Sequence, residues 1–177
     1  MKHHLNIIII ALRVIFAAIA INAIYNFISS VIFIQTDDPA VITEYFSNTF
    51  TPLIPRDVTI SKWFASAFTL LYGILLIYGI TAVIRFYKCL LKIEKGNMFY
   101  EEQGTQLRKT GATIIIFAKL QYLLFCTMGG MFYFDLTQFF KQLPEFLALY
   151  LIGKLILLYS YMAEKGEFIR EENDLTV

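Results

Sequence analysis

The 177 residues are 58% hydrophobic and only 16% charged, against roughly 45–50% apolar and about 25% charged in a typical soluble domain. That excess excludes an ordinary soluble fold, and a length near that of one domain leaves no room for a membrane anchor plus a separate catalytic domain. A net charge of +1 exerts no general pull toward nucleic acid, so no direct nucleic-acid contact is expected, and two cysteines cannot build a disulfide scaffold.

A hydrocarbon core of about 30 Å requires roughly 20 apolar residues in a helix rising ~1.5 Å per residue. Four stretches supply them. The first runs from Val14 to Ile34 and is extended by the apolar run from Leu5, giving a helix over 5–34. Lys2 and Ala18-Ile19-Ala20 resemble the start and cleavage site of a signal peptide. The apolar run, however, far outlasts the ~7–15 residues of such a signal, so a retained helix is expected. The second stretch covers 63–84 and continues as a helix to 95, the third covers 112–134, and the fourth covers 146–163. Pro144 opens the fourth, where a first turn tolerates proline, and 164–177 form a tail. Unpaired backbone cannot face lipid. The expected fold is therefore a single integral domain over 1–177, an all-α, antiparallel four-transmembrane-helix bundle.

Lys and Arg counts in the connecting segments set the orientation. Lys2, Arg13, Arg85, Lys88, Lys92, Lys95, Arg108, Lys109, Lys165 and Arg170 make ten on one side, against Arg56, Lys62 and Lys141 on the other. Both termini are expected in the cytoplasm. Trp63, Phe132, Tyr133, Phe134, Phe139, Phe140 and Phe146 gather at the outer boundary as an aromatic belt. The outer loop from Gln35 to Lys62 carries Asp37, Asp38, Glu44 and Asp57, with Pro52 and Pro55 as helix breakers, and reads as a solvated cap in preference to a ligand-binding lid.

In the central loop, Arg85, Lys88, Lys92 and Lys95 recur at i, i+3, i+7 and i+10 on one helix face, with Phe86, Leu90 and Ile93 on the other. Gly96-Asn97 stops that helix, Glu101 and Glu102 suit the first turn of a new one, and Arg108-Lys109 leads back at Gly111. The result is a basic cytoplasmic helical hairpin. It reads as an anchor to anionic headgroups, with a docking surface for a cytoplasmic partner as the alternative.

Gly96-Asn97-Met98-Phe99, then Leu107-Arg108 and Gly111, and finally Gly166 with Glu171-Glu172-Asn173-Asp174-Leu175-Thr176-Val177, resemble the bacterial membrane family known as domain of unknown function 2975 (DUF2975). The resemblance spans nearly the whole chain, but its specific motifs lie in the loop and tail. It implies a multi-pass protein of the bacterial cytoplasmic (inner) membrane, working beside a small Cro/C1-type helix-turn-helix regulator. It brings no catalytic residues, and the first outer loop is its poorest match.

Chemistry-bearing constellations are scarce. His3 and His4 are adjacent and cannot form the i, i+4 pair of a helical zinc site. With the boundaries above no membrane segment contains Asp or Glu, and Ser29, Ser30, Ser66 and Ser160 lack a neighbouring His, although Lys119 or Lys154 could serve one as base. Neither an enzyme nor a cofactor or metal is expected. Cys89 and Cys126 lie at different depths and cannot bridge.

Lys119 and Lys154 need an account, because a charge near mid-bilayer costs at least ~2.5–3.5 kcal/mol unless it snorkels or is paired. Helix rise puts Asn22, Tyr78, Lys119 and Lys154 at about 9 to 14 Å from the cytoplasmic side, one polar layer suited to an anion or a lipid headgroup. The plain alternative is two lysines snorkelling separately. Two functions follow: a non-enzymatic regulatory or scaffolding protein whose basic loop and acidic tail engage a helix-turn-helix regulator, or a lipid- or small-solute-binding channel or carrier. The second would act as a homo-oligomer, since Gly129-Gly130 is the one weak hint of a broken helix.

Overall fold

A computed structural model of the chain describes residues 2–50, 60–95, 102–132 and 137–175. They form five helices, α1 (Lys2–Gln35), α2 (Pro39–Thr49), α3 (Lys62–Glu94), α4 (Gln103–Phe132) and α5 (Thr137–Leu175), with no strand among the described residues. All except α2 are long and apolar enough to cross a membrane, consistent with a multi-pass membrane protein. Val14, Ile24, Leu123 and Leu155 stand exposed on their outer faces, where acyl chains rather than water would meet them.

Neighbouring helices run antiparallel, as their contacts show. Ser30, late in α1, meets Ser66, early in α3: Ser30 Oγ donates to the Ser66 carbonyl at 3.0 Å and Ser66 Oγ to the Ser30 carbonyl at 2.9 Å. At the other end Arg13 Nη2 donates to Tyr87 Oη at 2.9 Å. Arg85 Nη1 donates to Thr113 Oγ1 at 3.0 Å between α3 and α4, while the rings of Phe68 and Phe125 lie 5.7 Å apart further along. The packing order is α1, α3, α4, α5, and α1 does not close onto α5. The bundle is thus open on one side. Where α4 and α5 cross, a Cβ on Gly111 would stand 2.8 Å from the Gly153 carbonyl oxygen, so the two backbones touch. Small residues permit such approach between membrane helices.

The helix ends differ from the sequence reading in three places. α5 starts at Thr137, so Pro144 lies inside the helix instead of opening it. As the eighth residue of α5 it forgoes the hydrogen bond to the Phe140 carbonyl, and its ring is exposed, so side-chain packing is spared. The tail is also helical, to Leu175. The basic hairpin's second arm is the start of α4, which runs unbroken from Gln103. Glu102 precedes it with φ 71°, and its carbonyl accepts from Gln106 N at 2.9 Å; Gly96, Asn97 and Glu101 lie outside the described residues.

Eleven residues of the outer loop fold into α2. Asp38 caps it, its carboxylate accepting from Ala40 N at 2.9 Å, with Pro39 in the first turn. Ile42 and Phe46 of α2 are buried together with Phe50, Phe33, Phe68, Phe125 and Met128 in an aromatic core. Seven of the eleven residues of α2 are exposed, as a solvated cap requires, while Ile42 and Phe46 make its apolar face a plug between helix ends. Pro52, Pro55, Arg56 and Asp57 lie outside the described residues. Of the aromatic belt, Trp63, Phe139 and Phe140 are exposed and Phe146 packs on Tyr122 at 4.9 Å, while Tyr133, Phe134 and the Phe132 side chain lie outside the description. A second, smaller core of Cys89, Leu107 and Ala163 joins α3, α4 and α5 at the opposite end.

Candidate functional site, a polar cleft beneath α2

The open side of the bundle encloses a cleft of about 840 Å³, walled by all five helices. Its α1 wall is Ala18, Ile21, Asn22, Tyr25 and Asn26, the i, i+3, i+4, i+7, i+8 stripe that one helix face presents. α2 adds Tyr45, Asn48 and Thr49 above it, and α3 adds Tyr72. The far wall is Gln121 and Phe125 of α4 with Gln142 and Glu145 of α5, again at i, i+4 and i, i+3. Amides, phenols and one carboxylate therefore face a shared space inside a strongly apolar chain.

These groups are ordered by hydrogen bonds. Tyr45 Oη donates to Asn26 Oδ1 at 2.8 Å, and Asn26 Nδ2 donates to Asn22 Oδ1 at 2.7 Å and to the Asn22 carbonyl at 2.8 Å. The chain α2-to-α1 thus fixes the plug over the cleft. Burial raises the Tyr45 pKa well above the ordinary tyrosine value, with Tyr25 and Tyr72 adding to the effect against a smaller opposing hydrogen bond with Thr49, so the phenol stays a donor. Tyr25 stacks on Tyr45 with centroids 6.0 Å apart. Across the cleft Gln121 Nε2 donates to Glu145 Oε1 at 2.9 Å. Gln121 is 8% exposed and its Oε1 is buried without a partner, a state that polar groups in native interiors rarely occupy.

Glu145 lies one residue before the apolar segment 146–163, so that segment still holds no Asp or Glu. Glu145 sits about 12 Å along α5 from Thr137 at the usual helix rise, within the apolar stretch Thr137–Gly166. Of the residues expected to form one polar layer, Asn22 lines the cleft. Tyr78 is half-buried on α3, and Lys119 and Lys154 are exposed on α4 and α5, outside the lining. Lys154 Nζ lies 5.5 Å from the Tyr150 ring centroid. Such outward lysines suit snorkelling, with their stems along lipid and their heads at the interface.

The basic residues are distributed between two helices. On α3, Arg85 is half-buried against Thr113 and Lys88, Lys92 and Lys95 are exposed; on α4, Arg108 and Lys109 are exposed. Arg108 Nη1 lies 4.0 Å from Glu164 Oε1 of α5. Among the described residues no group of three or more His, Cys, Asp or Glu is placed to hold a metal ion, and both cysteines are free. Asn26, Gln121, Gln142 and Glu145 were missed by the sequence reading. The signal for them was the helical spacing of amides inside apolar runs. Compared with family models, curated proteins and solved structures, the chain matches none.

Proposed function

We propose that the protein is a multi-pass component of the bacterial cytoplasmic membrane, with the ends of α1 and α5 that carry the termini facing the cytoplasm, and that it binds a small polar or amphiphilic molecule in the cleft. The orientation rests on the ten-to-three distribution of Lys and Arg. The binding role rests on one observation, a cleft of about 840 Å³ lined by amides, phenols and a carboxylate within apolar helices. That volume lies in the usual range of ligand pockets, roughly 300–1,000 Å³. Ala18 on the α1 wall offers a way to fill it without touching a polar group. Native mass spectrometry of protein extracted in lipid nanodiscs is expected to find bound small molecules on the wild type that Ala18→Trp loses, with its melting temperature kept. Equal occupancy in both would end this reading.

A second reading has its own support in the approach of Arg108 to Glu164. The six basic residues of the 85–111 segment and the five acidic residues of 164–177 would clasp each other, and a cytoplasmic partner would compete for the clasp. By the family resemblance that partner is a helix-turn-helix regulator, and the protein a regulatory or scaffolding one. Replacing Lys88, Lys92 and Lys95 together with Gln should weaken capture of the purified regulator encoded beside the gene at least about tenfold, about 1.4 kcal/mol. Undiminished capture counts against these residues as the docking surface.

A further inference from the structure

The nature of the ligand can be read from the cleft walls, an inference that rests on the cleft being a binding site. Among the described residues no Lys, Arg or His lines it, and Glu145 is the one carboxylate. Glu145 is exposed to this space, and its hydrogen bond to Gln121 uses Oε1, with no described donor on Oε2. The same bond fixes the Gln121 amide. An ionised carboxylate only accepts, so the Gln121 NH2 must face Glu145 and its carbonyl oxygen must point elsewhere. That oxygen is the buried, unpartnered Oε1. Two acceptors from neighbouring helices thus lack donors among the described residues: Glu145 Oε2, and Gln121 Oε1, which a ligand reaches once the Gln121 side chain shifts toward the cleft.

The walls around them are aromatic. Tyr72 and Phe125 meet edge to face with centroids 5.1 Å apart, and the Tyr25 and Tyr45 rings stack on the opposite side. Ring faces attract cations, and more strongly where water is scarce. An anion would meet the Glu145 charge with no base to offset it, and a neutral alcohol would bring one donor for two acceptors. A protonated primary amine brings three N–H donors and a positive charge.

We propose that the cleft binds a primary ammonium group, held by the Glu145 carboxylate and the Gln121 carbonyl oxygen, with the attached carbon skeleton against Tyr72 and Phe125. The ammonium would come either from a free organic amine or from the ethanolamine headgroup of a phospholipid, and the two share this chemistry.

The test uses the full chain in nanodiscs of phosphatidylcholine, whose headgroup has no N–H. Isothermal titration with 2-phenylethylamine, 2-phenylethanol and 3-phenylpropionate compares cation, neutral molecule and anion on closely similar skeletons. The amine should bind at least about tenfold more tightly than the alcohol, about 1.4 kcal/mol, and the propionate should not bind. Glu145→Gln, which keeps an acceptor for Gln121, should erase the preference, and Glu145→Asp should restore part of it. Phosphatidylethanolamine added to the nanodisc should displace the amine if the headgroup is the ligand, and leave its binding unchanged if a free amine is. Equal binding of amine and alcohol, or a preference that survives Glu145→Gln, would overturn the ammonium assignment while leaving the cleft a binding site. If no probe binds and Ala18→Trp leaves native occupancy unchanged, both the assignment and the binding role fall together.

Discussion

At Gly111 and Gly153 the backbones of α4 and α5 touch, and a Cβ on either residue would collide with the partner helix. Nearer α2, the same two helices are joined by the 2.9 Å hydrogen bond from Gln121 to Glu145 and border a cleft of about 840 Å³. The bundle is therefore closed in the half where these glycines meet and open, on the α1 side of the same helix pair, in the half that holds the cleft. In the closed half, glycine lets dispersion contacts form along the seam. In the open half, long polar side chains occupy the interface, and an extra element, α2, seals the end with aromatic rings. The difference teaches that where this chain packs tightly it uses small residues, and where it leaves space it lines that space with hydrogen-bonding groups.

The open half should be the easier to break. Phe46 is 0% exposed and its ring lies 5.5 Å from Phe68 and 5.9 Å from Phe50. Phe46→Ala should lower unfolding free energy by about 3–5 kcal/mol, the usual cost of removing a buried phenylalanine. Denaturation in mixed detergent micelles reads it. The same variant should raise labelling of a cysteine placed at Asn26, which is buried beneath Tyr45, because the plug loosens. An unchanged labelling rate would mean that α2 does not seal the cleft. Closing the comparison from the other side, Gly153→Leu forces a side chain between touching backbones. A loss of about 1–3 kcal/mol is expected, as for other overpacked interiors. A loss near zero would show that the Gly111–Gly153 contact is not tight.

Several of these features were legible in the sequence, and the reasons for the exceptions are physical. The four long helices follow from length and hydropathy alone, because the bilayer demands both. Which helix packs on which does not, since a helix apolar on all faces carries no amphipathic stripe to point at its neighbour. α2 was signalled by Asp38-Pro39, an N-cap followed by a first-turn proline, yet Pro52 and Pro55 drew the segment toward a loop reading. Glu145 was lost through one boundary: taking Pro144 as the helix start left its neighbour at a helix end, whereas the chain absorbs the proline inside α5 and turns Glu145 to the cleft. The lysine layer was argued from depth alone, and depth says nothing about azimuth. Asn22 faces the cleft, whereas Lys119 and Lys154 are exposed and outside its lining.

The smallest expected effect lies at the mouth of the open half, where Lys62 Nζ reaches Asp37 Oδ1 at 2.7 Å and straps the end of α1 to the start of α3. The Lys62 hydrogen bond, followed by its charge, holds the Asp37 pKa below its ordinary value of 3.8. A carboxyl with a depressed folded pKa adds stability above its unfolded pKa and loses it as pH falls through the folded value. The window for this pair therefore begins near 3.8 and extends downward. Because the Asp37 side chain is 92% exposed, solvent and salt screen the attraction. Asp37→Asn should lower the melting temperature slightly at about pH 6 and by less at about pH 2, where the wild-type carboxyl is losing its charge. Ligand occupancy of the cleft should be the same in both, since neither Asp37 nor Lys62 lines it. A mutant that differed from wild type equally at both pH values would place the effect of Asp37 in the backbone geometry leading to α2 rather than in the ion pair.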